Sequence, residues 1–182
     1  METKEFDQAI YNERYKYGYD WNDYNNLAVK VIQMCNETGA KGKPTIDIGC
    51  GVGWFTDMYY FNVSRDITGI DFSEKAILCH ARRMYPSITF GIENIYEYDY
   101  NKYQVALLTE VLEHVEKDIE LLSRLPQGCK VYATIPFESE RRDITHVREY
   151  TLKGTHDRYG SVLDIERCEK FEQYIIIYGI RK

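Results

Sequence analysis

The chain has 182 residues, of which 44% are hydrophobic and 29% charged, a composition typical of a folded globular protein rather than a disordered one. The 23 basic and 29 acidic residues give a net charge of −6, which argues against a duplex nucleic acid partner because backbone binding needs many cationic contacts. No apolar run approaches the roughly eighteen residues of a membrane span, and the polar first residues carry no signal-peptide core, so we expect a cytoplasmic protein with no membrane partner.

Helix and strand signals alternate along the chain without a repeat or a flexible linker, so we predict one domain spanning residues 1–182. Apolar spacing predicts a first helix over 23–35, capped by Asn22 or Asp23. Further helices are expected near Trp54, after Ser73 and after the fourth strand, with a short helical turn over Leu152–Thr155. The aromatic segment 1–22 before the first helix is expected to act as a lid.

Seven segments read as strands, several of them short, apolar and bounded by turn residues. They are Thr45–Ile48, Ile67–Asp71, Ile88–Phe90, Gln104–Leu108, Lys130–Ile135, Val162–Glu166 and Glu172–Ile180. Strands that alternate with helices imply right-handed crossovers and a mainly parallel sheet covered on both faces. The last two strands have no full helix between them, which predicts an antiparallel strand at one edge. The expected fold class is therefore a three-layer α/β sandwich.

A glycine-rich turn follows the first predicted strand. Asp47, Gly49, Gly51 and Gly53 form the pattern D-x-G-x-G-x-G, whose glycines let the backbone turn tightly and approach a ligand. The helix that follows presents unpaired N–H groups towards the same place. Trp54 occupies the position of the third glycine in the dinucleotide motif, which argues against a nicotinamide cofactor.

A carboxylate ends the second predicted strand. Asp71 could accept hydrogen bonds from both hydroxyls of a ribose, while Asp47 suits an ammonium group or a water beside it. Together they describe a nucleoside ligand with an amino-acid tail and no pyrophosphate. The alternative is an ordinary strand–helix turn followed by an acid that leads a helix.

The segment Ile46–Gly53 resembles the glycine loop of class I S-adenosylmethionine-dependent methyltransferases, and the resemblance extends from Thr45 to Ile180. It implies a Rossmann-like αβα fold in which the loop holds the methionine moiety, Asp71 the ribose and Phe72 the adenine. Either Glu93 or Asn94 would contact the adenine amino group. The implied cofactor-binding residues are Asp47, Gly49, Cys50, Gly51, Gly53, Asp71, Phe72, Asn94, Ile95 and Thr109.

The segment after the fourth strand carries candidate catalytic groups. His114 can accept a proton near neutral pH, and the neighbouring Glu113 would raise its basicity. The segment is similar to the E-x-x-E-H segment of ubiquinone-pathway O-methyltransferases. It also resembles that of small-RNA 2′-O-methyltransferases, in which two glutamates and two histidines hold a divalent metal. By that resemblance Glu110, Glu113, His114 and His146 could bind Mg²⁺, Mn²⁺ or Zn²⁺, a reading we do not favour. Alternatively, His114 orients the helix start and Glu113 interacts with the helix dipole.

These observations favour a methyltransferase acting on a small-molecule hydroxyl, with His114, Glu113 and His146 as catalytic residues. Two alternatives stay open: a metal-assisted 2′-O-methyltransferase acting on an RNA end, and a catalytically silent cofactor-binding module. A homodimer is also compatible with the sequence.

Overall fold

The computed structural model describes residues 8–16, 24–137 and 145–182. The strands are β1 Thr45–Ile48, β2 Ile67–Asp71, β3 Thr89–Ile92, β4 Val105–Thr109, β5 Lys130–Pro136, β6 Leu163–Phe171 and β7 Tyr174–Arg181. The helices are α1 Gln8–Arg14, α2 Asn25–Glu37, α3 Trp54–Asn62, α4 Arg82–Met84, α5 Asp118–Ser123 and α6 Leu152–Tyr159. A π-helical segment, Lys75–Ala81, runs into α4, and a 3₁₀ turn, Leu112–His114, follows β4.

The seven strands form one sheet in the order β3-β2-β1-β4-β5-β7-β6. The first five strands of that order are parallel, whereas β7 runs antiparallel to both β5 and β6. Chain order reverses between β1 and β4, and in open α/β sheets ligands bind at the carboxyl ends of the strands beside such a reversal. The predicted Rossmann-like sandwich with its antiparallel edge is therefore confirmed.

Alternate residues of the central strands face opposite layers, as the pleat of a strand requires. In β4, Ala106 and Leu108 pack with Leu121 and Leu122 of α5 on one face. Val105 and Leu107 pack on the other face with apolar side chains of α2, α3 and the π-helical segment. The four strand residues are fully buried, which explains why β4 reads as a continuous apolar run.

Some element boundaries differ from the sequence prediction. Helix α2 begins at Asn25, and the predicted caps Asn22 and Asp23 lie outside the described residues. The short turn expected at Leu152–Thr155 is the start of the longer helix α6, where the Thr151 hydroxyl accepts a hydrogen bond from the Gly154 N–H. In the part of the chain that the structure describes, no helix combines the length and apolar character needed to cross a bilayer.

Candidate active site

A cavity of about 820 Å³ opens at the carboxyl ends of the parallel strands. The loops that follow β1, β2, β3, β4 and β5 all contribute to its wall, and helices α1 and α2 and the β6–β7 turn close it from the other side. Because these loops are far apart in sequence, only the parallel sheet brings them together. The cavity therefore lies where the topology predicts a ligand.

The glycine loop after β1 needs its three glycines for different reasons. Gly49, Gly51 and Gly53 have φ values of +73°, +53° and +82°, which other residues adopt at a cost. A Cβ on Gly49 would lie 2.7 Å from the Val111 side chain, and one on Gly53 would lie 2.8 Å from the Phe90 ring. Gly49 and Gly51 line the cavity, whereas Gly53 lies behind the wall. Gly53 packs closely against Phe90 and Ala81, and its contact with a cofactor, which the resemblance implies, stays a prediction.

Asp71 faces the cavity from the end of β2. Its Oδ2 accepts a hydrogen bond of 2.9 Å from the Gly51 N–H, and its Oδ1 accepts one of 2.8 Å from the Ser73 N–H. Burial raises the pKa of Asp71 to about 6, although these backbone hydrogen bonds act in the opposite direction. A carboxylate offers about four acceptor positions, so the residue can still accept a hydrogen bond from a ligand.

Asp47 lies behind the cavity wall instead of in it. Its Oδ2 accepts a hydrogen bond of 2.6 Å from the Thr56 hydroxyl, and its buried Oδ1 has no hydrogen-bond partner among the described residues. Burial, assisted by the nearby Asp71, raises the pKa of Asp47 to about 7. The expected direct contact between Asp47 and an ammonium group is therefore not prepared in this structure.

The loop after β3 reaches the cavity through Ile95 and not through Asn94. Asn94 is exposed, and its side chain forms hydrogen bonds within its own turn. Its Oδ1 accepts a hydrogen bond of 3.0 Å from the Tyr96 N–H, and its Nδ2 donates one of 3.2 Å to the Glu97 carboxylate. Glu93 is also exposed and does not line the cavity. Neither candidate for the adenine contact faces the cavity here, because the turn uses the polar atoms of Asn94 locally.

Acidic and imidazole groups converge after β4. One potential ligand atom each from Glu113, His114 and His146 lies within 4.8 Å of the others, so these three side chains could hold a metal ion. The Glu110 carboxyl instead accepts a hydrogen bond of 2.9 Å from the Thr134 hydroxyl. Burial raises the pKa of Glu110 to about 7, although the hydrogen bond from Thr134 acts in the opposite direction. Of the four suggested ligands, the structure groups three.

His114 is oriented by a segment more than thirty residues away. Its Nδ1 lies 3.0 Å from the hydroxyl and 3.3 Å from the carbonyl oxygen of Thr145. The carbonyl can only accept, which favours the tautomer with a proton on Nδ1 and a lone pair on Nε2. That Nε2 lies 3.8 Å from Glu113 Oε1, and the ring centroid lies 4.9 Å from that of His146. His114 can therefore act as a base, beside a carboxylate that stabilises its protonated form.

Helix α1 covers the cavity from the side of β2. Tyr11 packs edge-on against Phe72 at 5.0 Å and lies 6.0 Å from the His114 ring, measured between centroids. Gln8 donates to the Phe72 carbonyl, and Asn12 Oδ1 accepts from the Ser73 hydroxyl at 2.7 Å. Helix α1 belongs to the segment 1–22 that is expected to act as a lid; residues 1–7 and 17–22 of that segment lie outside the described residues, and the lid role stays a prediction.

Sequence reasoning missed Thr134, Thr145 and Arg148, which contact the Glu110 carboxyl, the His114 ring and the Val115 carbonyl, respectively. Their signal in the sequence is weak, since a threonine or arginine gains this role only through contacts across the fold. Cys50 also lines the cavity. Burial raises the pKa of its thiol well above the ordinary value, so the thiol presents an uncharged surface to the cavity.

Comparison with known proteins identifies the family of this chain and solved structures with a similar fold. A family model described as a methyltransferase domain matches residues 21–165. No curated protein matches the sequence significantly. Similar solved structures include the N-methyltransferase NodS from Bradyrhizobium japonicum in complex with S-adenosyl-L-homocysteine, with 14% identity over 97% of this chain and 99% of that one and a TM-score of 0.75.

Two further structures are similar. The 1,6-didemethyltoxoflavin-N1-methyltransferase from Burkholderia thailandensis has a TM-score of 0.77 and 15% identity, covering 96% of this chain and 87% of that one. The magnesium protoporphyrin IX methyltransferase from Synechocystis, with bound S-adenosylmethionine, has a TM-score of 0.69 and 17% identity, covering 97% and 92%. At such identities the likeness establishes the fold alone.

Proposed function

The chain belongs to the methyltransferase domain family, and on that premise we propose that it uses S-adenosylmethionine to methylate a hydroxyl group of a small molecule. The observation that carries this proposal is the shared cavity, in which the glycine loop and Asp71 lie on one side and His114 on the other. A methyl donor held by the first group would place its sulfonium near the second.

The cofactor would lie across the carboxyl ends of β1, β2 and β3. Gly49 and Gly51 allow the main chain to approach its methionine moiety, and Asp71 would accept hydrogen bonds from the ribose hydroxyls. Phe72 and Ile95 offer apolar surfaces for the adenine ring. Thr109, at the end of β4, would face the methionine end.

Methyl transfer from a sulfonium is an in-line displacement. The acceptor oxygen attacks the methyl carbon, the C–S bond breaks, and the products are a methyl ether and S-adenosylhomocysteine. The hydroxyl proton must leave during this step, and the Nε2 lone pair of His114 would take it before releasing it to water; the contact of Nδ1 with the Thr145 carbonyl supports this tautomer. Glu113, 3.8 Å away, would stabilise the imidazolium that forms. A half-buried base that can take the proton of a hydroxyl group is the reason that we favour O-methylation.

The acceptor would occupy the side of the cavity formed by β4, β5 and β7, beyond the nucleoside. Tyr24, Phe137 and Tyr174 supply aromatic surface there, and Lys170 extends over the Phe137 ring, with Nζ 4.1 Å from its centroid. Walls of this composition suit a small organic molecule. The solved Burkholderia enzyme holds 1,6-didemethyltoxoflavin, also a small molecule, which supports this class of acceptor.

Transfer of a radiolabelled methyl group from S-adenosylmethionine to a panel of small phenols, alcohols and amines tests the proposal. We expect labelled methyl ethers with the wild type and a loss of about 10²-fold or more in kcat for His114→Ala, with unchanged cofactor affinity by calorimetry. His156→Ala, at an exposed histidine on α6, is the matched control and should keep full activity. Labelling of amines only, or full activity in His114→Ala, would contradict the proposal.

Metal-assisted methylation of an RNA end is a second candidate, supported by the convergence of Glu113, His114 and His146. Two imidazoles and a carboxylate suit Zn²⁺ or Mn²⁺ and would supply Lewis acidity beside the acceptor. The net charge of −6 weighs against RNA. Full activity after EDTA treatment would exclude this candidate, and activity restored only by added metal would support it. Tight cofactor binding without any turnover would instead support the silent module.

A further inference from the structure

The turn that carries Glu113 and His114 is held from behind by one arginine. Arg148 Nη1 donates to the carbonyl oxygen of Val115 at 2.7 Å and to that of Leu112 at 3.3 Å. Its Nη2 donates to the carbonyl oxygen of Glu116 at 2.8 Å. One guanidinium therefore contacts three carbonyls of a tight turn from two separate nitrogens, whereas a lysine ammonium presents all its donors from a single atom.

The guanidinium is itself fixed by a buried carboxylate. Asp118, with no solvent exposure, accepts from Arg148 Nη1 at 2.9 Å. The same carboxylate accepts from Arg158 at 2.6 and 2.7 Å and from the Tyr159 hydroxyl at 2.8 Å. A buried carboxylate is strongly destabilising unless it is paired in this way, so the network permits few arrangements of Arg148.

The network connects two segments that each supply a catalytic candidate. The segment 145–150 lies against the 3₁₀ turn through the Val147 N–H, which donates to the Glu113 carbonyl at 2.8 Å. Thr145 in that segment contacts His114 Nδ1, and His146 faces the His114 ring. Arg148 does not line the cavity, so it touches neither the cofactor nor the acceptor directly.

We propose that Arg148 is a positioning residue for methyl transfer, which keeps the turn 112–116 against the segment 145–148 and so sets the distance from His114 to Thr145 and His146. This inference rests on the proposed role of His114. Because a misplacement of about 1 Å at a reacting group can lower a rate by about 10²-fold, a loosened turn should slow the chemical step while leaving the distant nucleoside site intact.

Arg148→Lys tests the proposal, with Arg158→Lys as the matched control. Both arginines bind Asp118, but Arg158 makes none of the three contacts to the turn. We expect Arg148→Lys to lower kcat at least tenfold, with a calorimetric dissociation constant for S-adenosylmethionine within about twofold of wild type. Arg158→Lys should keep kcat within about threefold even where both variants lose similar thermal stability. If Arg148→Lys does not fold, Asp118→Asn, which preserves the shape of the side chain, is measured in its place. We again expect a lower kcat with an unchanged dissociation constant for S-adenosylmethionine.

Hydrogen exchange of the Val147 amide provides a readout that does not depend on activity. Its protection should fall in Arg148→Lys and stay at the wild-type level in Arg158→Lys. A wild-type protein without transferase activity would overturn the proposed function, and in that case this exchange difference still tests the positioning role. Equal losses of kcat in the two variants, a parallel loss of cofactor affinity, or unchanged Val147 protection would each overturn the inference.

Discussion

Replacing Gly53 by alanine should destabilise the protein through two separable effects. The φ of +82° forces an L-residue into the left-handed region, which costs about 1–2 kcal/mol. The new Cβ would also lie 2.8 Å from Phe90 Cζ and 3.1 Å from the Ala81 Cβ, and overpacking of this kind costs typically about 1–3 kcal/mol. The free energy of unfolding should therefore fall by about 2–5 kcal/mol.

Gly42→Ala isolates the backbone effect. Gly42 has a similar φ of +72°, but a Cβ there meets nothing within 4 Å, so only about 1–2 kcal/mol should be lost. Urea denaturation at 25 °C, with equal slopes for the two variants, measures the difference directly. Since Gly53 does not line the cavity, calorimetry on folded Gly53→Ala should show cofactor affinity close to wild type. Equal destabilisation by the two substitutions would refute the packing role, and a selective loss of cofactor affinity would return Gly53 to the binding site.

Two further predictions concern the buried aspartates. Asp71→Asn should weaken S-adenosylmethionine binding by about tenfold or more, because hydrogen bonds to a charged group contribute about 1.5–3 kcal/mol. Calorimetry measures this affinity, and an unchanged affinity would show that Asp71 does not bind the ribose. The pKa of Asp47 is raised to about 7 from 3.8, so the folded state binds a proton that the unfolded state has lost. The stabilisation that this group contributes is therefore lost as pH rises from about 4 to 7. The wild-type Tm should fall relative to that of Asp47→Asn across this interval. A constant difference in Tm would show that the pKa of Asp47 is not raised in the folded state.

The central part of the fold could be predicted because its signals are local. Strands such as β4 are buried on both faces, and the glycines after β1 mark a turn whose φ values only they adopt easily. The edge strand β6 is half exposed and rich in charged residues, so its length could not be determined from apolar pattern. Helix α6 is polar, and its extent depends on the Thr151 cap and on two buried residues, Thr155 and Tyr159.

In the candidate site, too, some residues could be predicted from local sequence signals and others could not. Gly49, Gly51 and Asp71 could be placed from sequence because each lies at the end of a recognisable strand or within three residues of it. The orientation of Asn94 could not, since its side chain bonds within its own turn instead of facing the cavity. Contacts such as Thr145 with His114 join residues 31 positions apart and exist only after the chain has folded. Sequence therefore indicated the cofactor side of the cavity better than the supports of the catalytic side.

The central claim is that an S-adenosyl nucleoside binds at the junction of β1 and α3, with its ribose on Asp71. A crystal structure with S-adenosylhomocysteine tests it most directly. We expect ribose hydroxyls within hydrogen-bonding distance of the Asp71 carboxylate, the homocysteine moiety along Gly49 and Gly51, and the sulfur pointing towards His114. Density for the ligand at another place, or with its ribose away from Asp71, would contradict the account.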